Sequence, residues 1–361
     1  MIRNILAASA FAKAHQNRYP CLLHSWEYTK YAPRWTRNIQ TYKLERCVIK
    51  VFPRIFPRKN PRTIMLYSGL LTLLGLQREE ADSELITAIK TGILFIKRGD
   101  FEKAERTLHV ALQLAYQEQN EDGITYVYDI LANLALDTGQ DEKAEKLFTN
   151  VMRRLLNRGY KRNDNKILHI GLKLSKIYEN TRDYENAEVG FMYCIDHLKE
   201  KVSAIEDVDE ENKDTLSLWI TTLDNYARFL VNQNRPTEAL EYFKTAYEMS
   251  NKVNGEESEE SALLLNDLGI TSNMLGDPES ALSYAKAAVN IVRDHPEMEN
   301  LPFIYMNLGY LYLSREMHNK AMEACQMALR YARRDENEDD IKAAKECLQN
   351  IKDALRGPRD E

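Results

Sequence analysis

The sequence lacks the residue patterns that mark most enzymes and metal-binding proteins. It contains no glycine-rich phosphate loop, no G-x-S-x-G elbow and no H-E-x-x-H motif, and its seven histidines are scattered singly. The five cysteines show no C-x-x-C or other paired spacing. We therefore expect no catalytic site, metal, cofactor or disulfide framework. Cys194 and Cys325 fall at helix-packing positions, where we expect inert buried thiols.

Acidic residues are almost absent from the first 62 residues. This segment contains 13 lysines and arginines against two acids, Glu27 and Glu45, giving a net charge of +11, whereas the remainder carries −17. Its start, MIRNILAASAFAKA, places Ile2 and Ile5 on one helical face, as in an amphipathic transit peptide. We predict that residues 1–62 are a mitochondrial transit peptide, cleaved in part or whole. A nucleic-acid-binding arm and a secretory signal are the alternatives.

Charge is also absent from residues 63–77, TIMLYSGLLTLLGLQ. As a helix this segment spans about 22 Å, which is less than the hydrocarbon core of a bilayer. Its small and polar residues form a narrow uncharged stripe of the kind that packs helices in lipid. Basic residues precede it and acidic residues follow, so an inner-membrane anchor would leave the acidic remainder in the intermembrane space. A cleaved sorting signal and a packed first helix are the other interpretations.

Beyond residue 84 one phrase recurs six times, for example as GDFEKAERTLHVAL and GQDEKAEKLFTNVM. The spacing between successive key alanines is 40, 43, 52, 42 and 40 residues. A segment with apolar, small and aromatic residues at helical spacing precedes each copy. This alternation is typical of tetratricopeptide repeats, in which two helices form a hairpin. The key alanines are Ala104, Ala144, Ala187, Ala239, Ala281 and Ala321.

The repeats predict an all-α fold, a tetratricopeptide-repeat superhelix (α-solenoid). We expect about six helical hairpins over residues 85–335 and a capping helix over residues 337–356. Small residues such as Gly269 and Gly309 are expected where the two helices of a hairpin approach closely. The longest spacing contains an acidic cluster at residues 206–214, which predicts a long helix followed by a solvated loop.

A stack of helical hairpins presents a concave groove lined by the first helix of each pair. Polar side chains in such a groove can bind a partner's backbone or charged groups. The alternative is that several of them only hydrogen-bond neighbouring repeats. No two-lysine-plus-arginine clamp appears among them, which argues against a cochaperone that captures acidic tails. The predicted partner-binding residues are Asp129, Asn133, His169, Lys176, Asp224, Arg228, Asn266, Asn273, Asn307 and Tyr310.

The residues between the consensus positions resemble one family. ITYVYDILANLA in the second repeat and NAEVGFMYCI in the third are similar to the tetratricopeptide repeat protein 19 family, and the similarity extends from about residue 85 to about residue 355. This resemblance implies a non-enzymatic inner-membrane protein of mitochondria that binds respiratory complex III. It further implies support of complex III assembly and turnover of fragments of the Rieske iron–sulfur subunit.

The resemblance makes respiratory complex III subunits, including the Rieske iron–sulfur protein, the expected partners. Residues 63–77 would add a contact with the inner membrane, and the repeat domain would face the intermembrane space. We expect no nucleic-acid partner. The alternative function is a cytosolic peptide-binding cargo or motor adaptor, because repeats longer than 34 residues also occur in kinesin-light-chain-like arrays.

Overall fold

The computed structural model describes residues 83–298 and 300–356, so the predicted transit peptide and the segment at residues 63–77 lie outside the described residues. The described part contains thirteen helices and no strand. The helices are α1 (Glu84–Lys97), α2 (Phe101–Gln117), α3 (Glu121–Asp137), α4 (Asp141–Asn157), α5 (Asn165–Asn180), α6 (Tyr184–Ser203), α7 (Lys213–Asn232), α8 (Pro236–Asn254), α9 (Glu259–Met274), α10 (Pro278–Asp294), α11 (Leu301–Ser314), α12 (His318–Arg334) and α13 (Glu338–Arg356).

Consecutive helices pair as six hairpins, from α1 with α2 to α11 with α12, and α13 packs against both helices of the last pair. The chain divides into two compact units. The N-terminal unit, described over residues 83–160, holds the first two hairpins. The C-terminal unit, described over residues 161–298 and 300–356, holds the other four and α13. The predicted all-α tetratricopeptide fold with six hairpins and a capping helix is confirmed.

The recurrent alanines lie where the second helix of each hairpin crosses the first. All six have no exposed surface. One turn further along, Phe148, Phe191 and Phe243 are also fully buried. Because an alanine occupies little space at the crossing, the two helices approach closely and the aromatic ring fills the wider gap beside it. In these three hairpins the Ala-x-x-x-Phe spacing therefore reports the contact between the two helices.

Two glycines permit an even closer approach in the C-terminal unit. A Cβ atom added to Gly269 of α9 would lie 3.1 Å from the carbonyl oxygen of Ala281 in α10. One added to Gly309 of α11 would lie 2.5 Å from the sulfur of Cys325 in α12. A Cβ at Gly309 would overlap Cys325, and one at Gly269 would push the facing backbone away by a few tenths of an ångström. Packing therefore favours glycine at both positions.

The short links between helices reuse one turn geometry. At the α1–α2 link, Gly99 has a φ of 74°, its N–H donates to the carbonyl of Ile96, and the N–H of Asp100 donates to the carbonyl of Phe95. This pair of bonds is the Schellman motif, which satisfies the last carbonyls of a helix and reverses the chain. Non-glycine residues adopt the left-handed conformation at five other links, namely Gln119, Arg182, Asn234, Glu316 and Glu336.

The longest spacing between repeats contains helices α6 and α7 and the link between them. Each of these two helices is 20 residues long. The carboxylate of Asp209 in this link accepts bonds from the backbone N–H groups of Glu211, at 2.9 Å, and Asn212, at 2.8 Å. The acidic residues around this turn are exposed. A long helix followed by a solvated loop is therefore found where the acidic cluster predicts it.

The expectation that no cysteines pair is wrong for one pair. Cys325 of α12 and Cys347 of α13 form a disulfide, with their Cα atoms 6.0 Å apart. Their separation of 22 residues fits no short cysteine motif. The turn between the two helices brings the cysteines together, so the pairing follows from the helical hairpin and not from local spacing. Cys194 of α6 is a free, buried cysteine, as expected.

Candidate functional site: a polar row on the first helices

All ten predicted partner-binding residues lie on the first helix of a hairpin. Asp129 and Asn133 lie on α3 of the N-terminal unit, and the other eight are distributed over α5, α7, α9 and α11 of the C-terminal unit. Asn133, Asn266 and Asn307 are buried, whereas the remaining seven are partly buried. Buried amides of this kind need hydrogen-bond partners within the protein.

The two residues of the N-terminal unit form a local pair within α3. The side-chain amide of Asn133 donates to the backbone carbonyl of Asp129 at 2.7 Å and to its carboxylate at 3.3 Å. These bonds run between residues one turn apart, so they bend back along the same helix. The pair therefore orients the Asp129 carboxylate along α3.

An ion cluster joins two successive hairpins of the C-terminal unit. The Nε of Arg228 donates to both carboxylate oxygens of Asp224 on the same helix, at 3.0 and 3.1 Å. Its Nη2 lies 2.6 Å from the carboxylate of Asp267 on α9. The side chain of Asp267 is only 3% exposed and that of Arg228 only 15%. Two carboxylates thus share one guanidinium, so the cluster carries a net negative charge when all three are ionised.

Burial controls the titration of this cluster. It raises the pKa of Asp224 and of Asp267, while the neighbouring Arg228 charge works in the opposite direction for both. Burial also raises the pKa of Glu260, at the start of α9, to about 7, and the negative charge of Asp224 adds to that shift. Hydrogen bonds from Ser250 and Asn254 oppose it. Glu260 is therefore only partly ionised near neutral pH.

A second polar bridge joins α5 and α7. The ammonium of Lys176 lies 2.8 Å from the carboxylate of Glu179. The side-chain amide of Asn232 on α7 donates to the other oxygen of the same carboxylate at 2.9 Å. Glu179 is buried, so its charge is compensated by a cation from its own helix and an amide from the next hairpin.

A third bridge joins α9 and α11. The side-chain amide of Asn307 donates to the amide oxygen of Asn266 at 2.8 Å, and the amide of Asn266 donates to Asp267 at 3.2 Å. Further along α11, the hydroxyl of Tyr310 accepts a 3.5 Å contact from Asn350 of α13. The chain of contacts connects the ion cluster to the next hairpin. Asn266 and Asn307 therefore hydrogen-bond each other across neighbouring repeats, as the alternative interpretation of the predicted residues describes.

We use the term polar row for the residues of the ion cluster and of the two bridges beside it. His169 on α5 and Asn273 near the end of α9 are partly buried members of the predicted set. The polar row consists of Lys176, Glu179, Asp224, Arg228, Asn232, Asn266, Asp267 and Asn307.

Sequence reasoning missed three members of the polar row. Glu179 follows Lys176 by three positions, and Asn232 follows Arg228 by four, so both continue the helical face that was recognised. Extending each polar stripe by one more turn finds them. Asp267 has no such signal, because its helix is buried from Ser261 to Ser272 and shows no polar face.

The site offers hydrogen-bonding and ionic groups and no catalytic arrangement that we recognise in the described residues. Over residues 83–298 and 300–356, no cluster of three or more histidine, cysteine, aspartate or glutamate side chains could hold a metal ion. The same residues include no helix with the length and apolarity needed to span a bilayer. The polar side chains of the site can bind a partner through hydrogen bonds and ion pairs.

The architecture matches known repeat proteins. Two family profiles, each described as tetratricopeptide repeat, match residues 219–294 and 304–335. The crystal structure of BtubC (BKLC) from P. vanneervenii has a TM-score of 0.51 at 19% identity, covering 78% of this chain and 95% of that one. Aspartyl phosphate phosphatase F from Bacillus subtilis gives 0.52 at 14% identity, covering 78% and 85%. The fold and the repeats define a tetratricopeptide-repeat protein, a class of protein-interaction type.

Curated relatives identify the family within that class. The chain is 32% identical to "Tetratricopeptide repeat protein 19 homolog, mitochondrial" of Drosophila melanogaster, over 78% of this chain and 76% of the relative. It is 34% identical to "Tetratricopeptide repeat protein 19, mitochondrial" of Homo sapiens, over 76% of this chain and 73% of the relative. The chain belongs to the tetratricopeptide repeat protein 19 family. These relatives support a mitochondrial repeat protein.

Proposed function

We propose that the protein is a non-enzymatic mitochondrial binding protein that associates with respiratory complex III. In this role it supports assembly and maintenance of the complex, including turnover of fragments of the Rieske iron–sulfur subunit. Membership of the tetratricopeptide repeat protein 19 family is the observation that carries the proposal. The first helices of the hairpins supply the chemistry for binding a protein segment.

The polar row suits this role because it combines fixed charges with fixed amides. Arg228 is held by two carboxylates, so its guanidinium and theirs cannot swing freely. Preorganised groups lose little conformational entropy when a partner binds. His169 and Asn273 are the partly buried residues of the predicted set that lie outside the row, and we propose that a partner segment contacts them. The fully buried amides serve instead to hold the hairpins in register.

A matched pair of variants tests where the partner binds. His169→Ala with Asn273→Ala removes two polar side chains from first helices, and we expect association with complex III to weaken roughly tenfold. His197→Ala with Asn290→Ala removes the same residue types from the second helices α6 and α10 and should leave association unchanged. Association is measured as the amount of complex III that co-purifies with the full-length chain from mildly solubilised mitochondria.

The two variants give distinct outcomes. Equal loss of association in both would point to a general loss of folding, which circular dichroism melting of each variant would reveal. Unchanged association in the first-helix variant, with wild-type melting, would remove this face from the proposal. The family role would then stand on binding through another surface.

We further propose that residues 1–62 direct import and that residues 63–77 contact the inner membrane, leaving the repeat domain in the intermembrane space. The excess of basic residues in the first segment and the uncharged second segment support this arrangement. A fusion of residues 1–80 to a reporter should be imported by mitochondria. A reporter that stays in the cytosol would favour the adaptor function instead.

A further inference from the structure

The disulfide between Cys325 and Cys347 lies at a junction of three helices. Cys325 is on α12, Cys347 is on α13, and neither has exposed surface. Gly309 of α11 faces both sulfurs, because a Cβ added there would be 2.5 Å from one and 3.5 Å from the other. The absence of a side chain at Gly309 therefore leaves the space that the sulfurs occupy. The bond ties the last helix to the last hairpin at the point where all three meet.

The helix that this bond fastens is the terminal one of the stack. On α13, Ala344, Cys347 and Ile351 are fully buried, whereas most residues between them are exposed. The helix is thus held by one narrow apolar stripe against α11 and α12. In repeat proteins each element is stabilised by its neighbours, and α13 packs against a hairpin on one side, so it opens more readily than a helix held between two hairpins. A covalent bond in this stripe has a large effect on that opening.

We propose that Cys325 and Cys347 are a reversible redox site that locks α13 onto the last hairpin when oxidised and lets it open when reduced. In the oxidation, one cysteine thiolate attacks the disulfide of an oxidant, which forms a mixed disulfide and releases one half of the oxidant as a thiolate. The second cysteine thiolate then attacks the cysteine sulfur of the mixed disulfide and releases the other half as a second thiolate. The two cysteines lose two electrons and two protons, and the oxidant disulfide, such as oxidised glutathione, becomes two thiols. Reduction by a dithiol reverses the exchange.

The geometry favours exchange at this pair over the third cysteine of the repeat region. The Cα separation of 6.0 Å lies in the usual range for disulfides, so the two cysteines are within bonding reach of each other. Opening of α13 exposes both sulfurs together, since one of them is on the opening helix. Cys194 is buried inside α6, where burial raises the pKa of its thiol to about 12 and its sulfur donates to the carbonyl of Leu168. It has neither exposure nor a terminal helix to release it.

The first experiment determines the bond in the full-length chain. The protein, purified without reductant and treated with oxidised glutathione, is denatured in an alkylating agent and mapped by mass spectrometry under non-reducing conditions. We expect one linked peptide pair that contains Cys325 and Cys347, with Cys194 alkylated. Alkylation of Cys325 and Cys347 as well as Cys194 would overturn the proposal, because the two sulfurs would then be packed thiols only.

The second experiment measures what the bond does. Hydrogen exchange of the oxidised and reduced full-length protein should differ in α13, with reduction speeding exchange there by up to about 300-fold, as expected from the closure entropy of a loop of this length. The change should disappear in the Cys347→Ala variant, whose α13 already exchanges at the fast rate. It should persist in Cys194→Ala, which loses a buried sulfur and its hydrogen bond to Leu168 but no disulfide. Equal exchange of α13 in oxidised and reduced wild type would contradict the locking role.

Discussion

The guanidinium of Arg228 on α7 lies 2.6 Å from the carboxylate of Asp267 on α9 and so joins two successive hairpins of the C-terminal unit. Both groups are largely removed from solvent. A charge pair of this kind adds little net stability over an apolar pair, but removing one partner leaves the other charge buried alone. Arg228 also holds Asp224, so its loss would leave two carboxylates without their shared cation.

Replacing the arginine tests this coupling. Arg228→Met should lower the free energy of unfolding by about 3 kcal/mol, because Asp224 and Asp267 lose their counter-ion in a buried site. Urea denaturation followed by circular dichroism measures the change. The double variant Arg228→Met with Asp267→Leu should recover part of the loss, since only the better-solvated carboxylate remains. A double variant no more stable than the single one would show that the pair is not coupled.

The amide bridge between α9 and α11 predicts a smaller effect. Asn307→Ala removes the donor to Asn266 and leaves a buried amide oxygen without that bond, which should cost about 1–2 kcal/mol of unfolding free energy. Asn290→Ala, on the exposed face of α10, should change it by less than about 0.5 kcal/mol. The same denaturation experiment compares them. Equal losses of unfolding free energy in the two variants would show that the bond between Asn307 and Asn266 does not stabilise the fold.

Glu260 predicts how stability depends on pH. Its pKa is raised from 4.5 to about 7 in the folded protein, so the folded state binds more protons than the unfolded state between these values. Its stabilising contribution is therefore complete below about pH 4.5 and is lost as the pH rises through about 7. Melting temperatures of wild type should fall more steeply from pH 5 to pH 8 than those of Glu260→Gln. Asp224 and Asp267 remain in both proteins, so parallel slopes would contradict the assignment to Glu260.

The helical hairpins could be predicted from the sequence because their packing rule is local. An alanine at the crossing and an aromatic residue four positions later, as at Ala187 and Phe191, report the contact of two helices adjacent in the chain. Short links then fix how the helices meet. The same rule predicts Gly269 and Gly309 as points of close approach, and both abut the second helix of their hairpin.

Contacts between successive hairpins could not be predicted in the same way. Asp267 pairs with Arg228, 39 positions earlier in the chain, and only the register between repeats brings them together. Cys325 and Cys347 likewise meet because α13 folds back on α12, although their spacing matches no motif. The buried helix α9 hides its polar residues among apolar ones, so periodicity does not reveal which of them face another repeat.

Mass spectrometry of the proteins that co-purify with the full-length chain from mildly solubilised mitochondria tests the proposed function directly. We expect enrichment of respiratory complex III subunits, with the Rieske subunit or its fragments among them, relative to a mock purification. Enrichment should fall for His169→Ala with Asn273→Ala and persist for the second-helix control. A bait that is imported and folded but recovers no complex III subunits would contradict the proposed function, while the repeat fold and the family would stand.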